Sequence, residues 1–251
     1  MFKIENVNFS YGNKKILHDI DFGIRKGTFL SIIGQNGSGK TTLMNLLNGM
    51  NIDYSGSIKY LDRDLPDYNI SERSKNFSII SQKNTIEFPF TCMEVVMMGR
   101  NPYKNRLNSL SEEDIRLVID VMKKTNTLKF ANSLITEISG GEFQRIILAR
   151  ALAQNPRVLF LDEAFSAMDI SYKINAIKLI KKLVKEEGLT VISVMHDINI
   201  AYKFSDEICA LKQGRLHGVG KPDEFITEDF ILDVFNIEVE KVDNKGFFVK
   251  V

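Results

Sequence analysis

Between Gly27 and Met50 the chain reads "GTFLSIIGQNGSGKTTLMNLLNGM". A short, mostly apolar run of the kind that forms a strand buried on both faces leads into glycines, and the glycines lead into an apolar-periodic helix. Gly34 to Thr41 fit the pattern G-x-x-x-x-G-K-[ST], and strand before with helix after is the context that pattern requires. Glycines are needed here because side chains would block so close an approach of backbone to phosphate. The backbone N–H groups of Asn36, Gly37, Ser38, Gly39 and Lys40 are expected to wrap a β-phosphate. Lys40 is expected to reach the β and γ oxygens and the Thr41 hydroxyl to ligate Mg²⁺, with Thr42 among the nucleotide-binding residues.

The remaining sequence alternates strand and helix periods. "FKIENVNFSY" and "ILHDIDFGIRKG" read as strands, with Ile20, Phe22 and Ile24 alternating with polar residues, and "SGSIKYLDRDL" reads as a further hairpin. "NFSIISQ", "RVLFLDE" and "TVISVMHD" are apolar runs that end in polar or acidic residues. From Lys83 to Ser133 the period turns helical, with Ser111 and Asp114 as a capping pair. A helix over "SYKINAIKLIKKLVKEEG" is expected to stop at Gly188. The expected fold is α/β: a P-loop NTPase core on a mainly parallel sheet, an N-terminal antiparallel β subdomain and an inserted helical subdomain. The expected boundaries are 1–82 for the first part of the core, 83–133 for the helical subdomain, and 134–251 for the second part with a C-terminal extension. Ligand chemistry in such sheets belongs at the carboxyl ends of the strands.

The polar residues stand at those ends. Asp162 fits a carboxylate holding Mg²⁺ through water, and Glu163 a general base on the attacking water; a plain helix-entry acid pair is the alternative. Gln82 is placed to sense Mg²⁺ or the water, or simply to cap its strand, and His196 to contact a γ-phosphate. Tyr11 offers an aromatic face to adenine or fills a hairpin core. His18 and His217 receive no role.

"ISGGEFQRIILARAL" is a second helix start of the anion-binding kind. Ser139 and Glu142 form a capping box. A cap does not call for Gly140 and Gly141, which cost about 1 kcal/mol each in helix propensity. Bare backbone there suits a close phosphate, and the first loop already surrounds its own. The second cradle is therefore expected to serve another molecule's nucleotide, in a head-to-tail homodimer with ATP sandwiched between subunits.

Composition narrows the setting. Across 251 residues, the formal net charge is +1, so binding of nucleic acid through bulk charge is not expected. The 2 cysteines, Cys92 and Cys209, lie far apart in no ligand-like spacing, which argues against a disulfide framework or zinc site. "MFKIENVNFSYGN" has polar and acidic residues where a signal peptide would have an apolar core, and no apolar run reaches membrane-spanning length.

Taken together, the pattern resembles the ATP-binding cassette (ABC) ATPases. "GQNGSGKTT" is similar to their Walker A, "ISGGE" to their signature loop, "VLFLDE" to their Walker B, "SAMD" to their D-loop, and His196 to their switch histidine. Ile138 stands where leucine is usual. The resemblance implies that Ser139, Gly140 and Gly141 contact the γ-phosphate across a dimer and that Asp169 couples the two sites. "FPFTCMEVVMMGRNPYKN", the stretch running on from "TVISVMHD", and the tail "LDVFNIEVE" are similar to the ATPase subunits of importers for iron–siderophores, haem and vitamin B12. This implies an ATP-hydrolysing subunit, peripheral on the cytoplasmic face of the membrane. Its partners would be two permease subunits and, indirectly, an extracytoplasmic substrate-binding protein. A soluble ABC protein acting on ribosomes or DNA, and the ATPase of an efflux pump, are the alternatives. Phe88, Phe90, Met93, Met97 and Met98 form an apolar, adaptable group expected to contact the permease, with ordinary core packing the alternative for part of them.

Overall fold

The computed structural model describes residues 1–82, 84–103, 111–165, 168–242 and 246–250. They form two compact units, Met1–Asn69 with Thr190–Val251, and Ile70–Leu189.

The first unit opens with strands β1 (Phe2–Tyr11) and β2 (Lys14–Ile24), paired antiparallel. Along β1 the buried positions run Phe2, Ile4, Val7, Phe9. The step of three falls where Asn6 takes φ 50 and the pairing register shifts, so a bulge keeps all four side chains on the core face. β3 (Phe29–Ile33) is buried at every position, as expected of a strand covered on both faces. Helix α1 (Lys40–Leu47) follows the glycine loop and buries Leu43, Met44, Leu46 and Leu47. β4 (Ser55–Tyr60) and β5 (Arg63–Asp64) form the predicted hairpin, turning on Leu61 and Asp62 with φ of 47 and 63. Positive φ at both central residues matches the twist of the flanking strands.

The second unit begins with α2 (Ile70–Asn76) and β6 (Phe77–Ile80). Three helices follow, α3 (Cys92–Met97), α4 (Glu112–Lys124) and α5 (Gly140–Ala153), and each starts in a full capping box: Thr91/Glu94, Ser111/Asp114 and Ser139/Glu142. Their apolar faces share one core containing Cys92, Val95, Val96, Val118, Met122, Ile135, Ile146, Ala149 and Ala153. β7 (Val158–Asp162) runs parallel to β6. α6 (Ile170–Glu187) buries Ala176, Ile177, Ile180, Leu183 and Val184, a single helical stripe, and stops at Gly188 with φ 69.

The chain then returns to the first unit. β8 (Thr190–Val194) and β9 (Glu207–Lys212) flank β3, both parallel to it, and α7 (Ile198–Phe204) lies between them in sequence. β10 (Arg215–Gly220) pairs antiparallel with β9 and touches β2, so this unit's strand order is β5-β4-β1-β2-β10-β9-β3-β8. Two short helices, α8 (Pro222–Phe225) and α9 (Glu228–Phe235), lead to a hairpin of β11 (Val239–Val242) and β12 (Gly246–Val249). That hairpin is clasped to α7: the Asn199 amide donates to the Phe247 carbonyl at 3.0 Å and its oxygen accepts from the Phe247 N–H at 2.7 Å. Both cysteines are free and buried; burial raises the Cys92 thiol pKa and pushes that of Cys209 up to about 12. No helix among the described residues is long and apolar enough to cross a membrane.

The "GRNPY" stretch has a packing role inside the second unit. A Cβ on Gly99 would lie 2.2 Å from the Arg150 carbonyl oxygen, so two backbones meet there. Arg100 is buried, donates from Nη1 to the Ala153 carbonyl at the end of α5 (3.0 Å) and from Nε to Asp114 Oδ1 (2.7 Å), and lies 4.0 Å over the Tyr103 ring. Hydrogen bonds from Ser111 and then Arg100 hold the Asp114 carboxyl below the usual carboxylate range. A depressed folded pKa gives stability that is present above the unfolded value and lost as pH falls through the folded one. Asp114→Asn is therefore expected to cost about 1–3 kcal/mol near neutral pH, with the penalty shrinking as pH drops below about 4. Urea titrations of both proteins at several pH values measure this; a pH-independent gap would contradict it.

Candidate functional site

The phosphate loop has the shape its sequence requires. Gly34, Gly37 and Gly39 take φ of 146, 78 and 98. A Cβ at Gly34 would sit 2.2 Å from the Leu211 carbonyl oxygen and 2.7 Å from Ser38 Oγ. α1 starts from Gly39 with no side-chain cap and no acid in its first turn, which leaves its start suited to an anion. Lys40 is only 6% exposed, and its ammonium donates to the carbonyls of Gly34 and Gln35 at 2.9 Å each. Ser38 Oγ is buried without a hydrogen-bond partner among the described residues. An orphaned hydroxyl, an uncapped helix start and a cation folded into the same loop are what a phosphate would satisfy. Asn36 and Thr41 are exposed; Thr42 is half-buried.

In the second unit, Asp162 is the last residue of β7 and Glu163 the next. Glu163 has φ 51, a left-handed conformation that costs a non-glycine residue about 1–3 kcal/mol and concentrates at functional positions. Its Oε2 accepts a hydrogen bond from Gln82 Nε2 at 2.7 Å. Two residues distant in sequence and singled out independently are thus joined directly. Gln82 lies just past β6 and is exposed.

At the second helix start, Ser139 accepts from the Glu142 N–H, and Glu142 Oε2 accepts from the Ser139 N–H (2.9 Å) and hydroxyl (2.8 Å). Those bonds, the backbone one first, hold the Glu142 carboxyl below its usual range. A Cβ on Gly140 would meet nothing within 4 Å, and one on Gly141 only the Tyr172 ring at 3.9 Å. Among the described residues, packing gives no reason for either glycine. Asp169 is exposed at the N-cap position of α6, yet its side chain makes no cap hydrogen bond. Ser166 and Ala167 of "SAMD" lie outside the described residues.

His196 is exposed two residues beyond β8, and Asp197 Oδ1 caps α7 by accepting from the Ile200 N–H at 2.9 Å. Tyr11 is 52% exposed at the end of β1 with its ring edge-on to Phe9, so it presents a face to solvent rather than filling the hairpin core. Its hydroxyl accepts from Asn51 Nδ2 at 3.1 Å. The apolar group after Gln82 divides: Met93 and Met97 pack on the helical core, while Phe88 and Phe90 are exposed, Phe88 at 71%. Sequence reasoning passed over Arg145. It is buried against the Phe130 and Tyr172 rings, and a lone charge within an apolar helix stripe was its signal.

The sequence pattern of the ABC transporter family matches residues 17–166, and the chain belongs to that family. Its fold is the ABC ATPase fold. An ATP-binding cassette solved as a dimer in a post-hydrolysis state with ADP and Pi matches with a TM-score of 0.75 and 31% identity, over 88% of this chain and 99% of that one. Among relatives, the petrobactin import ATP-binding protein YclP of Bacillus subtilis is 33% identical over 98% of this chain and 97% of its own length. The uncharacterised ABC transporter ATP-binding protein YvrA of the same organism is 37% identical over 94% of this chain, which spans 54% of the YvrA length.

The two kinds of glycine should separate on substitution. Gly34→Ala forces a Cβ onto backbone and is expected to destabilise the chain by roughly 2 kcal/mol or more. Gly140→Ala has open space and helical backbone, and is expected to stabilise by about 0.4–1 kcal/mol. Thermal melts of the two variants check this; a destabilising Gly140→Ala would show that the glycine is structural after all.

Proposed function

We propose that the chain binds and hydrolyses ATP to drive import of a metal chelate, an iron–siderophore, haem or cobalamin, through separate membrane permease subunits. The observation that carries the ATPase reading is the loop Gly34–Thr41, with its buried Lys40 ammonium and orphaned Ser38 hydroxyl. The import reading is supported by the stretches after Gln82 and around His196, and by YclP, named for petrobactin import and matched almost end to end.

Roles are assigned residue by residue. Gly34, Asn36, Gly37, Ser38, Gly39, Lys40 and Thr42 hold phosphates, and Tyr11 stacks on the base. Glu163 accepts a proton from the attacking water, positioned by its bond to Gln82. His196 contacts the γ-phosphate. Thr41, Gln82 and Asp162 supply oxygen donors of the kind Mg²⁺ prefers. Among the described residues no three His, Cys, Asp or Glu side chains gather as a metal site, which suits an ion held largely by phosphate and water. When bound, Mg²⁺ would neutralise charge on the phosphates. Ser139, Gly140 and Gly141 form a cradle for the nucleotide of a second copy, and Asp169 couples the two sites. Residues 83–133 serve as the helical subdomain, with Phe88 and Phe90 facing the permease. The assembly is a homodimer on the cytoplasmic face of two permease subunits, fed by an extracytoplasmic binding protein and without nucleic acid.

Lys40→Ala is expected to nearly abolish Mg·ATP binding, because it removes the cation aimed at the β and γ phosphates; calorimetric titration measures it. Glu163→Gln is expected to slow hydrolysis by about 10²–10⁴-fold while leaving binding intact. With Mg·ATP the same variant should run as a dimer on gel filtration, and without nucleotide as a monomer. Import itself is tested by uptake of labelled siderophore, haem and cobalamin in cells carrying this protein or its Glu163→Gln form with the permease. Unchanged uptake of all three with the variant would refute the import reading.

A further inference from the structure

Arg145 lies on α5 one turn after Gly141 and is 8% exposed. Its Nε is buried with no hydrogen-bond partner among the described residues. What faces the guanidinium instead is a pair of aromatic rings: its Cζ lies 4.5 Å from the Tyr172 centroid and 5.6 Å from that of Phe130. Flat π faces can offset the desolvation of a planar cation, and arginine stacks where lysine cannot. The same Tyr172 ring is the nearest neighbour in the direction of a Gly141 Cβ, at 3.9 Å. Arg145 Nη2 also stands 3.9 Å from Glu142 Oε1, the acid whose other oxygen caps Ser139. Helix side chains lean toward the N-terminus, so a residue at this position supports the turn before it. Tyr172 in turn belongs to the first turn of α6, whose N-cap is Asp169, and the Asp169 carbonyl accepts the Lys173 N–H at 3.0 Å.

We infer that Tyr172 and Arg145 are positioning residues that lock the Ser139–Gly141 cradle to the Asp169 end of α6, so that the two move as one piece. The inference rests on the cradle reading given above. A first turn containing two glycines has little stiffness of its own. Tyr172 supplies a wall beside it, and Arg145 clamps that wall to the helix. A nucleotide captured by the cradle then fixes the start of α6 as well, through one cation–ring contact and without a change in the phosphate loop of the same chain.

The test compares Tyr172→Leu with Tyr172→Phe, each alone and combined with Glu163→Gln. Phenylalanine keeps the ring face and leucine does not. In the Glu163→Gln background, Tyr172→Leu should raise the Mg·ATP concentration needed for dimer formation about tenfold, and Tyr172→Phe less than about threefold. Alone, Tyr172→Leu should lower kcat about tenfold, with ATP affinity of the monomer, read by calorimetry, within about twofold of the parent. If Tyr172→Leu melts far below the parent, Arg145→Lys carries the same test, since it keeps the charge but loses the stacking plane. A Tyr172→Leu or Arg145→Lys chain that dimerises at the parent's ATP concentration and keeps its kcat overturns the inference alone. A Glu163→Gln parent that stays monomeric at saturating Mg·ATP overturns the cradle reading and the inference with it.

Discussion

A buried ammonium is tolerable only when its N–H groups find acceptors. In this protein the acceptors of the Lys40 ammonium include the carbonyls of Gly34 and Gln35, which lie in the loop that presents it. Those two bonds require the loop to curl tightly back, which requires positive φ at its glycines. It also requires β3 and α1 to hold the ends: the strand buried at every position, the helix burying four apolar side chains. The parallel partners β8 and β9 fix β3 in turn, and β8 carries the chain on to His196. Much of the first unit is a frame for one cation.

The second unit solves a different problem. It must carry acids and bare backbone without letting either distort it. Glu163 is held in a left-handed conformation and tethered by Gln82. The first turn of α5, with its two glycines, is held by its capping box. Arg100 joins the ends of two helices in the same unit through Asp114 and Ala153.

Sequence made legible whatever has a local period or a local motif: the phosphate loop, the capping boxes at Ser111 and Ser139, the stop at Gly188, the alternating first strands. These depend on residues within one turn or one strand of each other. Strand pairing is long-range, so the placement of β3 between β8 and β9 needed the structure. So did the Gln82–Glu163 bond, the clasp of Asn199 on β12, and the aromatic seat of Arg145. The exposed ring of Tyr11 could not be told from a core residue, because a strand's end carries no signal of which face is covered. The apolar group after Gln82 also divided, since composition does not say which of Phe88, Phe90, Met93 and Met97 turn inward.

The glycine loop has a consequence for the energetics of recognition. Gly34, Gly37 and Gly39 already hold left-handed or related φ values, and Gly34 is pinned against Leu211. The conformational entropy that such permissive residues lose is therefore lost when the chain folds and not when a ligand arrives. The Gly34–Thr41 loop is thus preorganised for the phosphate role proposed above: association would have little backbone left to order, and its free energy would go into contacts instead of closure. Under the proposed function, the same stiffness leaves the loop a weak source of adaptability, so discrimination between one phosphate chain and another would rest on the geometry set before they meet.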